Sequence, residues 1–143
     1  MKERIDEKIE EIEKFVAIIV DFIPENIEQY KRDIKTKAAC EHYFEKIIEA
    51  CEDLAFLLIR AISIKIPEKD ESVFDVLSDN EIMGKDLAQK LKDAKGMRNI
   101  ISHEYGEIDD AIVFDAIANE LENDVIQFIE EVKKMKGRKP NES

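Results

Sequence analysis

"AACEHYFEKIIEACEDLAFLLI", residues 38–59, decides the fold. Its apolar side chains Phe44, Ile47, Ile48, Cys51, Leu54, Ala55 and Leu58 recur at steps of three and four. That spacing lines one side of a helix with 3.6 residues per turn and has no place in a strand, where side chains alternate. With Ile34 before it and Ile62 after it, the same stripe predicts one long helix from about Asn26 to Lys65, kinked near Thr36. Cys40 and Cys51 stand eleven positions apart on that helix. Eleven steps bring them to the same face but roughly 16 Å apart along the axis, too far to bridge. They read as two buried, reduced thiols, and with no CxxC pair a structural zinc site is not expected.

The flanking segments repeat the pattern. Ile5, Ile9, Ile12, Phe15, Val16, Ile19 and Phe22 predict a first helix over Glu3–Ile23, which Pro24 ends and Asn26 follows as a cap. "IPEKDES" reads as a loop, and Ser72 as the cap of a short helix, "VFDVLSD", which Gly84 separates from the next. Leu87, Leu91, Ala94 and Ile101 mark a helix over Lys85–Ser102. Asp109 or Asp110 caps a last one that runs to Lys134, with Val113, Ile117, Leu121, Val125, Phe128 and Val132 inward. The expectation is an all-α, up-and-down bundle of four main helices plus a short one, a single domain over residues 1–135 with a basic, flexible tail over 136–143.

Composition agrees. Charged residues make up 39% of the chain, against about 25% in an average soluble protein, and there are four Gly and three Pro, which favours long solvated helices. No apolar run approaches the roughly 18 residues of a membrane span, and the charged start, "MKERIDEKIEEIEKF", is no signal peptide. A cytoplasmic location is expected, with no membrane partner. The net charge of −12 repels nucleic acid in general, so a contact with RNA has to be local, and none with DNA is expected. The basic cluster "KKMKGRKPNES", with Lys133, Lys134, Lys136, Arg138 and Lys139, reads as a solvated, frayed end or as one that touches phosphate or a partner.

Several chemistries are disfavoured. Neither His42 nor His103 follows a Glu by three positions, as a carboxylate di-metal bundle requires. The four glycines stand apart, so no phosphate loop forms. What remains is "RNIISHEY", residues 98–105, which places Arg98, Asn99, His103 and Tyr105 together. On an unbroken helix Arg98 and His103 point about 140° apart. For the two to act together, either the helix ends before His103 or two copies of the chain share the site. Gly106 and Asp109 place a helix end near residues 102–106. The plain alternative is that Arg98 pairs with an acidic neighbour, His103 caps the helix and Tyr105 packs as an ordinary aromatic. His42 reads as structural or surface-exposed.

"MRNIISHEYGEID", residues 97–109, resembles the signature of HEPN domains, and its His-x-Tyr extension is similar to HepT-like toxins, the partners of minimal nucleotidyltransferase antitoxins. The resemblance extends to residues 38–59, with Glu41, Glu49 and Asp53 at the acidic positions, and to "SVFDVLSDNEIMGKDLAQKLKDAKGMRN", residues 72–99. It departs at His42, where many relatives carry an Arg. The resemblance implies a metal-independent endoribonuclease without cofactor, acting on an RNA such as a tRNA or mRNA. In that reading Arg98 and His103 are catalytic, Asn99 orients phosphate or ribose, and Glu49 and Asp53 hold Arg98 or simply solvate a face. A homodimer brings two Arg and two His into one cleft, and the antitoxin transfers AMP to Tyr105. The alternative functions are a non-catalytic dimeric HEPN module that binds nucleotide or docks a nucleotidyltransferase, and a helical dimer with no site.

Overall fold

The computed structural model describes residues 2–68, 71–103 and 109–136. Among them the chain forms α1 (Lys2–Phe22), α2 (Ile27–Arg32), α3 (Ile34–Ala61), α4 (Val73–Asp79), α5 (Lys85–His103) and α6 (Asp110–Asp115). A π-helical turn (Ala116–Glu120) then leads into α7 (Leu121–Lys136). The described residues contain no strand. The long helices α1, α3, α5 and α7 pack in an up-and-down bundle in which α1 meets α3, α3 meets α5, α5 meets α7 and α7 returns to α1. The expected all-α class is what forms.

The stripes explain the packing. Ile5, Ile9, Ile12, Val16 and Ile19 of α1 are buried, as are Phe44, Ile47, Ile48, Cys51, Leu54, Ala55 and Leu58 of α3. Val113, Ile117, Leu121, Val125, Phe128 and Val132 complete the core from the last segment. Phe74 of α4 meets Phe128 edge-on at 5.8 Å, which plugs the short helix into the core. Both cysteines are buried and free. Burial pushes the Cys40 thiol up to about 11, with Glu41 adding to the shift, and raises the Cys51 thiol as well.

Two boundaries differ from the sequence expectation. The long second helix is not kinked at Thr36 but broken at Asp33, which ends α2 and caps α3. Its carboxylate accepts from the Thr36 backbone N–H at 3.1 Å and from the Thr36 hydroxyl at 2.8 Å. These bonds reward the charged form and lower the Asp33 pKa. Ile34, expected to be buried, is therefore left at the exposed start of α3, 76% accessible. The last helix is also not uniform: Ala116–Glu120 widens to a π turn. Such a turn inserts a residue without breaking the helix, so the buried stripe continues through it.

Helix ends follow local chemistry. Asn26, Ser72 and Asp109 each accept a backbone N–H at the start of α2, α4 and α6. α3 and α4 stop in the same way, by a left-handed residue just past the cap: Ser63 at φ 61° and Glu81 at φ 61°. Ile64 N–H donates back to Ile59 C=O at 3.2 Å, and Ile82 N–H to Leu77 C=O at 2.9 Å. Glycine usually holds this position because it has no Cβ to strain. Here Gly84 instead sits at the start of α5, where its C=O accepts the Ala88 N–H at 3.1 Å.

Candidate functional site

The site is built on α5, whose sequence departs from the acidic rest of the chain. Between Lys85 and His103 it carries Lys85, Lys90, Lys92, Lys95 and Arg98 against Asp86 and Asp93. Its cations reach neighbouring helices: Lys92 contacts Asp75 of α4 at 2.8 Å, and Lys90 contacts Asp124 of α7 at 3.9 Å. Burial raises the Asp124 carboxyl, while Lys90 and a hydrogen bond from Asn123 pull it back.

Toward α3 the contacts form a polar seam. Ser102 Oγ donates to Glu45 Oε2 at 3.0 Å. Arg98 meets Glu49 at 3.5 Å through Nη1 and Glu52 at 3.2 Å through Nη2, and Lys95 meets Glu52 at 3.0 Å. The two helices run antiparallel, so residues 45, 49 and 52 ascending oppose 102, 98 and 95 descending. Spacings of three and four keep each row on one face. The Arg98 side chain is 17% exposed, so its guanidinium is mostly enclosed, and its buried Nε has no hydrogen-bond partner among the described residues. An Arg gripped at both terminal nitrogens is fixed in direction, and its planar fork suits two oxygens of a phosphate or carboxylate.

The remaining residues separate. Glu49 reaches Arg98, whereas Asp53 turns to α1 and lies 3.6 Å from Lys8. Asn99 and His103 are exposed on the outer side of α5, and His103 is its last residue. The helix continues without a break from Lys85 to His103, so Arg98 and His103 project about 140° apart. A single chain does not bring them onto one face. Tyr105 and Gly106 lie outside the described residues, as do Arg138 and Lys139 of the tail. His42 is exposed and packs edge-on against Tyr43 at 5.3 Å. Among the described residues no group of three or more His, Cys, Asp or Glu is placed to hold a metal ion, and no helix is long and apolar enough to cross a membrane.

Sequence reasoning missed Glu52. Glu52 and Asp53 are adjacent, and one residue rotates a helix by about 100°, enough to turn one carboxylate to α5 and the other to α1. The signal was present in the chain: Glu52 completes the row Glu45, Glu49, Glu52 that mirrors Ser102, Arg98, Lys95. Only the antiparallel pairing of α3 with α5 makes that mirror visible.

An up-and-down bundle with Arg-x4-His closing its third long helix defines a protein of the HEPN class. A model of the family described as Ribonuclease HepT-like matches residues 5–132, and the chain belongs to that family. It is similar to the mRNA nuclease HepT of Shewanella oneidensis, with 31% identity over 105 residues that cover 73% of this chain and 78% of the relative. Solved structures agree. A tri-AMPylated HEPN toxin of Shewanella oneidensis in complex with MNT antitoxin superposes with a TM-score of 0.83 at 29% identity, over 91% of this chain and 96% of that one. A toxin–antitoxin crystal structure with AMP-PNP gives 0.82 at 28% identity, over 91% and 97%.

Proposed function

We propose that the protein is the toxin of a toxin–antitoxin pair, a metal-independent endoribonuclease of the cytoplasm whose site is shared by two copies of the chain. The observation that carries this reading is Arg98, fixed by Glu49 and Glu52 on an acid-poor helix whose outer side presents Asn99 and His103. The 140° between Arg98 and His103 supports a shared site: a second copy apposed on the outer side of α5 brings its own His103 beside the first. That side suits such a contact. Gly96, Asn99, Ile100 and His103 share it, Ile100 is 54% exposed, and a Cβ added at Gly96 would meet nothing within 4 Å. A mid-helix Gly costs about 1 kcal/mol relative to Ala. No described residue uses the space it leaves, whereas a second helix crossing there would.

The reaction needs no outside nucleophile. The ribose 2′-O attacks the adjacent phosphorus and gives its proton to one imidazole. The 5′-O leaves and takes a proton from the other, which yields a 2′,3′-cyclic phosphate and a 5′-hydroxyl. Imidazole serves both roles near neutral pH. The Arg98 pair carries the charge that builds on the phosphate oxygens, and Asn99 orients phosphate or ribose. The antitoxin, a minimal nucleotidyltransferase, silences the site by moving AMP onto Tyr105, two residues past His103, where an anionic adduct repels the RNA phosphate.

The test is cleavage of tRNA and mRNA by the purified protein in EDTA. Arg98→Lys and His103→Ala each lose about 10²-fold or more in rate, with helicity by circular dichroism unchanged. Arg98→Lys keeps the charge beside Glu49 and Glu52 and removes the two-pronged grip. Cleavage by His103→Ala at the wild-type rate overturns the mechanism. An inactive wild-type protein that still takes AMP on Tyr105 would make the chain a binding module.

A further inference from the structure

The seam between α1 and α7 lies across the bundle from the α3–α5 seam that holds Arg98. It is an open groove of about 520 Å³. Its floor is apolar, with Ala17 and Val20 from α1 facing Ile126 and Ile129 from α7. Val20 is 39% and Ile126 45% exposed, so the floor is in water in the single chain. Its rim is acidic: Glu13, Glu122 and Glu130, against one cation, Lys133, which stands 3.7 Å from Glu13.

We propose that this groove docks a basic amphipathic helix of another protein. Charge selects the occupant. A second copy seated here by the same seam would bring a second acidic rim against the first. Nucleic acid meets the same repulsion. The chain's own end, "GRKPNES" over residues 137–143, has the right charge but no large apolar side chain for the floor. A helix with Leu, Ile or Val at i, i+4 and i+7 and Lys or Arg beside them satisfies both the floor and the rim. The lining spans residues 122–133 of α7, about 16 Å, which is three helical turns. Under the function proposed above that protein is the antitoxin. The groove's chemistry stands without that reading.

The probe is a fluorescein-labelled synthetic peptide of about three turns, with Leu at i, i+4 and i+7 and Lys on the flanks. It is titrated into the full chain by fluorescence anisotropy, with methyl-labelled spectra recorded in parallel. Saturable binding is expected, with shifts at Val20, Ile126 and Ile129. Ile126→Glu, an exposed position, should weaken it at least tenfold, Glu122→Lys with Glu130→Lys should do the same, and a peptide with Glu for every Lys should not bind. Equal binding of the two peptides, shifts away from this seam, or indifference to Ile126→Glu overturns the proposal. So does a change of oligomeric state in Ile126→Glu, which would make the groove a self-interface. Neither RNA cleavage nor AMP transfer enters the readout, so the groove and the nuclease reading fail separately.

Discussion

Gly96→Ala separates the needs of the single chain from those of a pair. Gly96 lies in mid-α5, and a Cβ there meets nothing within 4 Å. The substitution therefore carries no steric cost in one chain and recovers the helix propensity that Gly gives up, about 0.8–1 kcal/mol. For a domain of this size that raises the melting temperature by roughly 3–5 °C. If a second copy crosses α5 at this point, the same methyl group enters the closest approach of the two backbones. Affinity then falls as stability rises, and Gly96→Leu, with a longer reach, abolishes the pair. The assay is sedimentation velocity across a concentration series beside thermal unfolding at the dilute end. Opposite signs are expected: a more stable monomer and a weaker dimer. An unchanged dimer affinity in both variants would refute the crossing at Gly96, and no gain in the dilute melting temperature would refute the open surroundings.

Other outcomes follow from local geometry. Ser63→Gly and Glu81→Gly relieve left-handed strain at two helix ends and should each stabilise by about 0.5–1 kcal/mol in urea unfolding. Tyr30 is fully buried and its hydroxyl has no hydrogen-bond partner among the described residues, so Tyr30→Phe should stabilise by about 1 kcal/mol. Burial, with Glu41 next, raises the Tyr30 phenol above its ordinary 10.0, so the native state keeps a proton that the unfolded chain sheds. Stability is full below pH 10 and falls as pH rises above it, and Tyr30→Phe should flatten that alkaline limb. Cys40 acts likewise between pH 9 and 11, and Cys40→Ala should remove its share of the loss. Glu52→Gln weakens contacts to Arg98 and Lys95 and should cost about 1–2 kcal/mol, whereas Asp53→Asn, whose exposed carboxylate meets half-buried Lys8 at 3.6 Å, should cost less than about 0.5 kcal/mol.

The helices were legible because their signals are local. A stripe such as Ile5, Ile9, Ile12, Val16, Ile19 needs only the period of its own segment, and caps such as Asn26, Ser72 and Asp109 act within three residues. The break at Asp33 was local too, but an Asp that both ends one helix and starts the next looks like any polar residue in a longer one. Ser63 and Glu81 left no mark because left-handed stops are recognised by glycine, and here the next residues, Ile64 and Ile82, close the turns by donating to Ile59 and Leu77.

The chain alone thus set the four amphipathic helices, their order and the Arg98–Asn99–His103 cluster at the end of the third, since periodicity and adjacency are properties of sequence. Tertiary structure decided which carboxylates meet Arg98, sending Glu49 and Glu52 to it and Asp53 to Lys8. It also decided that Arg98 and His103 leave one helix on different sides. The second needs only that α5 runs unbroken to His103, whereas the first depends on which face of α3 turns to α5. That choice comes from burying four apolar stripes at once, and no single stripe contains it.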